Sequence, residues 1–123
     1  MDPAQASKLA VEREQYRKEL AAALTEDADP LAAYDLFVKW TADSYGSHLA
    51  HSGLIELLEE ATRHFVDDES YKSDLRYLKL WLMYASYVED PSVIYSFILT
   101  KNIGKIYAQV YQDYADALER RGK

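Results

Sequence analysis

The chain has 123 residues, of which 49% are hydrophobic and 28% are charged, a balance typical of one globular domain rather than of a disordered chain. Its formal charge of −7 makes nucleic-acid phosphates and acidic membrane surfaces unfavourable partners. The absence of cysteine excludes disulfides, thiol catalysis and cysteine-ligated zinc sites.

Proline and glycine mark the expected helix boundaries. Each of the three prolines follows an aspartate, in the pairs Asp2-Pro3, Asp29-Pro30 and Asp90-Pro91. An aspartate at the N-cap accepts hydrogen bonds from free backbone amides, and a proline in the first turn lacks only an N–H that would have no helical partner. The glycines fall between periodic segments, at Gly46, Gly53, Gly104 and Gly122. These positions predict where helices begin and end.

The hydrophobic periodicity predicts six helices and no strand. They are expected at residues 3–25, 30–45, 52–66, 73–88, 91–101 and 105–121. Short loops favour antiparallel neighbours, so we predict an all-α fold, a tetratricopeptide-like helical repeat of antiparallel helix hairpins without a clean tetratricopeptide consensus. The apolar stripe of the first helix is thin, so residues 1–28 are predicted to be a loosely packed N-terminal helix and residues 29–123 the repeat domain.

The fourth helix carries the strongest functional signal. Between Leu75 and Val88 apolar residues occupy nearly every face of the predicted helix, so neighbouring elements must cover most of its sides. One interpretation is a central solenoid helix between its neighbours, with a core formed by Leu75, Leu78, Leu80 and Leu82. The other is that one strip stays open for a partner helix, formed by Trp81, Tyr84, Tyr87 and Val88. Both can hold for different faces, and Trp81 suits either.

No set of residues in the sequence indicates an enzyme, a metal site or a cofactor site. His48 and His51 are three residues apart, but no carboxylate stands at a spacing that completes a metal site. The acidic turn at residues 67–69 lacks the glycine and the ligand ladder of a calcium loop. Phosphate-binding glycine loops and nucleophile motifs are also missing. We therefore predict a non-catalytic domain without metal or cofactor.

Four stretches of sequence stand out together. They are Asp29–Leu31 with Phe37–Trp40; Ser52–Leu54 with Leu57–Glu59; Phe65–Asp68 with Tyr71, Asp74–Tyr77, Leu80–Leu82 and Tyr84–Ala85; and Ile103–Gly104 with Tyr111 and Tyr114–Ala115. In this order and spacing they resemble the N-terminal homology region of the Bub and Mad proteins of the spindle assembly checkpoint, in a form similar to fungal members. The resemblance covers about residues 29–122 and implies that the repeat stops before its last helices.

The resemblance implies a tetratricopeptide-like domain that performs no catalysis and helps to place a checkpoint protein at kinetochores of the mitotic nucleus. In animal members this region binds a short amphipathic helix of the large kinetochore scaffold protein, and in some fungal members it contacts other checkpoint proteins. In the Bub kinase branch, a separate serine/threonine kinase domain follows much later in the chain. No nucleic acid or membrane partner is expected.

The resemblance also implies which residues contact the partner. Carried over by position, they are Trp81, Leu82, Tyr84, Tyr87, Val88, Val93 and Arg121. Two positions depart from the family, because Ala117 stands where one animal branch has an acidic contact residue and Val88 where a branch has asparagine. The positions expected to serve packing or turn geometry are Trp40, Gly104 and Tyr111.

The branch and the assembly state leave alternatives open. A Lys-Glu-Asn degron typical of the Mad branch does not occur in this sequence, which favours the Bub kinase branch or a fused ancestor of both. An alternative function is a self-associating structural module, a homodimer formed through an uncapped face of the last helix. That face would consist of Ile106, Val110, Tyr114 and Leu118.

Overall fold

The computed structural model describes residues 2–46 and 48–121. Those residues form seven α-helices and one 3-10 turn, and contain no strand, so the predicted all-α fold is confirmed. The helices are α1 (Pro3–Glu26), α2 (Leu31–Tyr45), α3 (Leu49–Ser52), α4 (Leu54–His64), α5 (Leu75–Ala85), α6 (Pro91–Thr100) and α7 (Ala108–Arg121), and the 3-10 turn is Glu69–Tyr71. None of the described helices has the length and apolarity that crossing a membrane requires.

The helix starts follow the predicted caps at two of the three aspartate–proline pairs. The side chain of Asp2 accepts from the amide of Gln5, and that of Asp90 accepts from the amide of Ser92 at 3.2 Å. At the third pair the helix begins one residue later than predicted, at Leu31, with Pro30 as the flanking residue. Asp74 caps α5 in the same way, accepting from the amide of Arg76 at 2.8 Å.

Three predicted helices differ from the structure because of turns. The predicted helix at residues 52–66 begins later, at Leu54, since Gly53 takes a left-handed conformation that ends the preceding helix α3, which was not predicted. The fourth helix ends at Ala85 rather than Val88, and tighter turns continue the chain there. The sixth begins at Ala108 rather than Lys105, after a turn in which the Tyr107 amide donates to the Gly104 carbonyl.

The chain forms two compact units, Met1–Leu57 and Leu58–Lys123. In the first unit, α1 and α2 pack antiparallel, with Tyr16 stacked on Trp40 at 5.0 Å between ring centroids. The Trp40 indole Nε1 donates to the Glu12 carboxylate at 3.1 Å, so Trp40 serves packing as predicted. The buried core of this unit includes Leu9, Leu20, Leu31, Tyr34, Phe37 and Val38.

In the second unit, Lys72 connects the ends of two helical segments. Its part-buried ammonium donates to the carbonyl of Val66 at 3.2 Å and to that of Lys101 at 2.8 Å. Its own carbonyl accepts from the Gly104 amide at 2.8 Å. Gly104 has φ +69°, and a Cβ added there would lie 2.6 Å from Leu78 Cδ1, so the predicted turn role of this glycine is confirmed.

Candidate protein-binding surface

The side chain of Trp81 lies inside the second unit. Only 4% of it is exposed, and aromatic rings surround it: Tyr77 at 6.3 Å, Tyr84 at 6.3 Å and Phe97 at 5.4 Å between centroids. A side chain enclosed in this way has no surface to offer a partner in this conformation. Trp81 therefore belongs to the core of the second unit, and its predicted contact with a partner stays a prediction.

Apolar side chains are exposed on α6 and just after α5. On α6, Val93 is 60% exposed and Phe97 is 39% exposed, and their spacing of four residues places them on one helix face. Tyr87, also 39% exposed, lies in a turn after the end of α5. Its backbone amide donates to the Tyr84 carbonyl at 3.0 Å. We call the set Tyr84, Tyr87, Val88, Val93 and Phe97 the α5–α6 strip.

Three other predicted contact residues, on α5 and in the turns that follow it, are partly committed to the fold. Leu82, Tyr84 and Val88 are half-buried. Burial, followed by the nearby Glu59 carboxylate, raises the pKa of Tyr84. The Glu59 carboxylate also accepts a hydrogen bond from the Tyr84 hydroxyl, so this hydroxyl is engaged within its own unit.

The buried hydroxyl beneath this surface has an internal partner. Tyr77 donates to the backbone carbonyl of Thr62. Burial is the main cause that raises the pKa of Tyr77 to about 12, opposed by the Trp81 indole and reinforced by the negative charges of Asp67 and Asp68. The indole Nε1 of Trp81 is buried without a partner of normal hydrogen-bond geometry among the described residues.

Arg121 lies beside the first turn of α6. Its Nη1 is 3.4 Å from Ser92 Oγ, and its Nε is 4.0 Å from Asp90 Oδ2. The hydrogen bond from the Ser92 hydroxyl is the main cause that lowers the pKa of Asp90, with a smaller contribution from the charge of Arg121. Ala117 is buried in the same unit. An acidic partner group reaching Arg121 would have to compete with Asp90.

The four leucines of α5 that were predicted to form the core differ in their burial. Leu78 and Leu80 are buried as predicted, but Leu75 is exposed and Leu82 only half-buried. Tyr111 is also exposed, so its predicted packing role is wrong.

The predicted association face of the last helix is interrupted. Val110 is fully buried within its own unit, and Tyr114 lies against Tyr95 with 6.5 Å between ring centroids. Only Ile106 and Leu118 of the proposed face are exposed. Half of that face is therefore already used inside the unit.

Sequence reasoning missed Phe97. It stood among apolar residues of a helix predicted only by its start and length, so neither periodicity nor the resemblance assigned it to a surface. To place Phe97 between Trp81 and solvent, one would have to know the angle at which α6 packs on α5.

Across residues 2–46 and 48–121, no group of three or more metal-ligating side chains is placed to hold a metal ion.

The comparisons with known proteins agree with this fold. The family model of Mad3/BUB1 homology region 1 matches residues 11–123. The mitotic spindle checkpoint component mad3 of Schizosaccharomyces pombe is 39% identical over 95 residues, which cover 76% of this chain and 31% of that protein. The mitotic spindle checkpoint protein BUBR1 of Arabidopsis thaliana is 40% identical over 98 residues, which cover 80% of this chain and 25% of that protein.

A solved structure gives the same result. A chain in the crystal structure of a mitotic checkpoint complex superposes with a TM-score of 0.86 at 33% identity, over 98% of this chain and 56% of that one. The present chain thus spans a third or less of the length of the two relatives above. The matched region is non-catalytic, and relatives that are kinases carry their kinase domain elsewhere. The chain belongs to the family of Mad3/BUB1 homology region 1 domains.

Proposed function

We propose that this domain docks a mitotic spindle checkpoint protein at kinetochores by binding a short amphipathic helix of a kinetochore scaffold protein. The observation that carries the proposal is the α5–α6 strip, where Val93 and Phe97 expose apolar surface on one face of α6. Exposed apolar side chains grouped on neighbouring helices are typical of protein interfaces, and a partner helix buries such a face with residues spaced three and four apart.

The buried Trp81 supports this surface rather than forming part of it. Because its indole lies under Phe97 and beside Tyr84, it holds both rings in place. Because these rings are already held in place, less side-chain entropy is lost when a partner binds. Lys101 Nζ lies 5.9 Å from the Phe97 ring centroid, which suits a partner helix with an acidic residue at this edge.

We further propose that the whole protein is of the Mad3 and BUBR1 type and acts in the nucleus, at kinetochores. The relatives from S. pombe and A. thaliana support this placement. These matches do not confirm the preference for the Bub kinase branch, which was based on a missing degron, or the fungal origin. A contact with another checkpoint protein, rather than with the scaffold, is compatible with the same strip.

The proposal is tested by titrating a kinetochore-scaffold helix peptide into the chain and into two matched variants. Val93→Asp places a charge in the α5–α6 strip, while Leu36→Asp places the same charge on α2, where the aliphatic side chain is equally exposed at 61%. An unpaired charge at an interface centre should weaken binding by about 2 kcal/mol or more, roughly thirtyfold, for Val93→Asp. Leu36→Asp should bind like the parent. Equal affinity of all three proteins, with measurable binding, would refute the assignment of the surface.

The alternative of self-association rests on the exposed side chains of Ile106, Tyr111 and Leu118 in and before α7. Light scattering over a concentration series tests it directly. A rising average mass that Leu118→Asp abolishes would favour a homodimer, and a constant monomer mass would dismiss it.

A further inference from the structure

A cavity in the first unit shares no residue with the α5–α6 strip. It is a cavity of about 510 Å³, within the range of roughly 300–1,000 Å³ typical of ligand pockets. Two alanines of α1 one turn apart, Ala6 and Ala10, leave the space open on one side. Tyr45, His48 and His51 line it from the segment after α2.

Arg13 is the main charged group of this cavity. Its guanidinium lies 5.0 Å from the centroid of the Tyr45 ring and donates through Nη2 to the Ser52 carbonyl. Within the part of the chain that the structure describes, Arg13 makes no ion pair with a carboxylate. A guanidinium has five N–H donors, so the bond to Ser52 leaves several for a ligand. Contact with the Tyr45 ring and the bond to Ser52 restrict the directions in which these donors point.

Two imidazoles add further donors around the same space. His48 precedes α3 and His51 lies in its last turn, and both side chains are exposed. The carboxylate of Glu14 is the acidic group of the lining. One arginine and two imidazoles against one carboxylate give the lining more N–H donors than the single acidic group can accept from.

We propose that this cavity binds the phosphate of a phosphorylated serine or threonine in a partner peptide. Arg13 would hold two phosphate oxygens through its parallel N–H groups, and the imidazoles of His48 and His51 would donate to the third. A carboxylate has only two oxygens, which one arginine already satisfies, so the additional donors favour phosphate. Glu14 opposes the anion and limits the affinity.

The experiment uses the 123-residue chain labelled with ¹⁵N and titrated with N-acetyl-phosphoserine amide, N-acetyl-aspartate amide and inorganic phosphate. The Arg13 side-chain Nε–H resonance and the His48 and His51 resonances report binding. We expect saturable shifts with the phosphoserine derivative and at least about tenfold weaker binding of the aspartate derivative, since charge-assisted bonds are lost.

Three variants complete the test. Arg13→Gln should weaken binding at least about tenfold, while Arg17→Gln, whose parent guanidinium lies over the Phe37 ring instead, should leave it unchanged. Glu14→Gln should strengthen binding, a gain that a folding defect cannot produce. Equal affinity for inorganic phosphate and the phosphoserine derivative would mean an adventitious ion only. That result, absent shifts, or weaker binding by Glu14→Gln would overturn the proposal.

Discussion

Phe97 lies against Trp81 with 5.4 Å between the ring centroids and 38° between the ring planes. One ring is buried and the other is partly open to solvent, so the pair joins the core of the second unit to its surface. Changes at Trp81 should therefore act first on stability, and changes at the exposed residues around it should act first on binding.

The first prediction separates core from surface among the aromatic residues of this region. Trp81→Ala should lower the free energy of unfolding by about 3–5 kcal/mol, because it removes a large buried ring and leaves a cavity. Tyr87→Ala should change it by about 1 kcal/mol or less, since that ring is partly exposed. Urea unfolding monitored by circular dichroism gives both values. Similar costs for the two variants would contradict the burial of Trp81.

The second prediction concerns the turn before α7. Gly104→Ala should cost about 3 kcal/mol, because the left-handed conformation penalises any Cβ and this one would collide with Leu78. Gly53→Ala is the matched control. Gly53 is also left-handed, at φ +72°, but a Cβ there would meet only Arg13 Nη2 at 3.9 Å, an ordinary contact, so only the conformational cost of about 1 kcal/mol should remain. Thermal unfolding of both variants separates the backbone cost from the cost of the collision with Leu78. Equal losses of stability would mean that the collision contributes nothing.

The third prediction concerns the lysine that joins two chain segments. Lys72→Met keeps most of the aliphatic stem but removes the donor shared by the Val66 and Lys101 carbonyls, so it should cost about 2 kcal/mol. Lys79→Met, at an exposed position of α5, should be nearly neutral. If chemical denaturation gives equal midpoints for the two variants, the hydrogen bonds of Lys72 do not contribute.

The fourth prediction follows from the raised pKa of Tyr77. The folded state keeps this phenol protonated up to about pH 12, whereas the unfolded chain loses the proton near pH 10. The unfolded state therefore gains stability as pH rises, so the contribution of Tyr77 is complete below pH 10 and is lost between pH 10 and about 12. The loss should amount to about 2–3 kcal/mol for a shift of this size.

Tyr77→Phe isolates this contribution from the other titrating groups. The difference in unfolding free energy between the parent and the variant should be constant from pH 7 to 9 and should shrink above pH 10. A difference independent of pH up to 12 would mean that the Tyr77 hydroxyl is not buried in the folded state.

The parts of the fold that the sequence predicts are those that depend on local chemistry. Asp90 and Pro91 carry a start signal that needs no tertiary information, and the left-handed turn at Gly104 follows from its residue type. Gly53 was predicted as a helix boundary, but the short helix α3 before it was not, because four residues are too few to show a helical period. The all-α class followed from periodicity, which summed many weak signals.

The candidate surface was less predictable for a physical reason. On a helix that is apolar nearly all round, burial depends on where neighbouring helices pack, and no residue type encodes that position. The indole of Trp81 and the ring of Tyr87 are both large and partly polar, yet one is enclosed and the other is not. The exposure of Leu75 and the surface position of Phe97 likewise depend on the placement of neighbouring helices.

The most direct test of the account is photo-crosslinking from the proposed surface. Benzoylphenylalanine is placed at Tyr87 in one protein and at Leu36 in another, both are mixed with the kinetochore-scaffold helix peptide, and both are irradiated. We expect a covalent adduct from position 87, competed by unlabelled peptide, and none from position 36. An adduct from position 36 alone, or none from position 87 although the peptide is bound, would contradict the assignment of the α5–α6 strip.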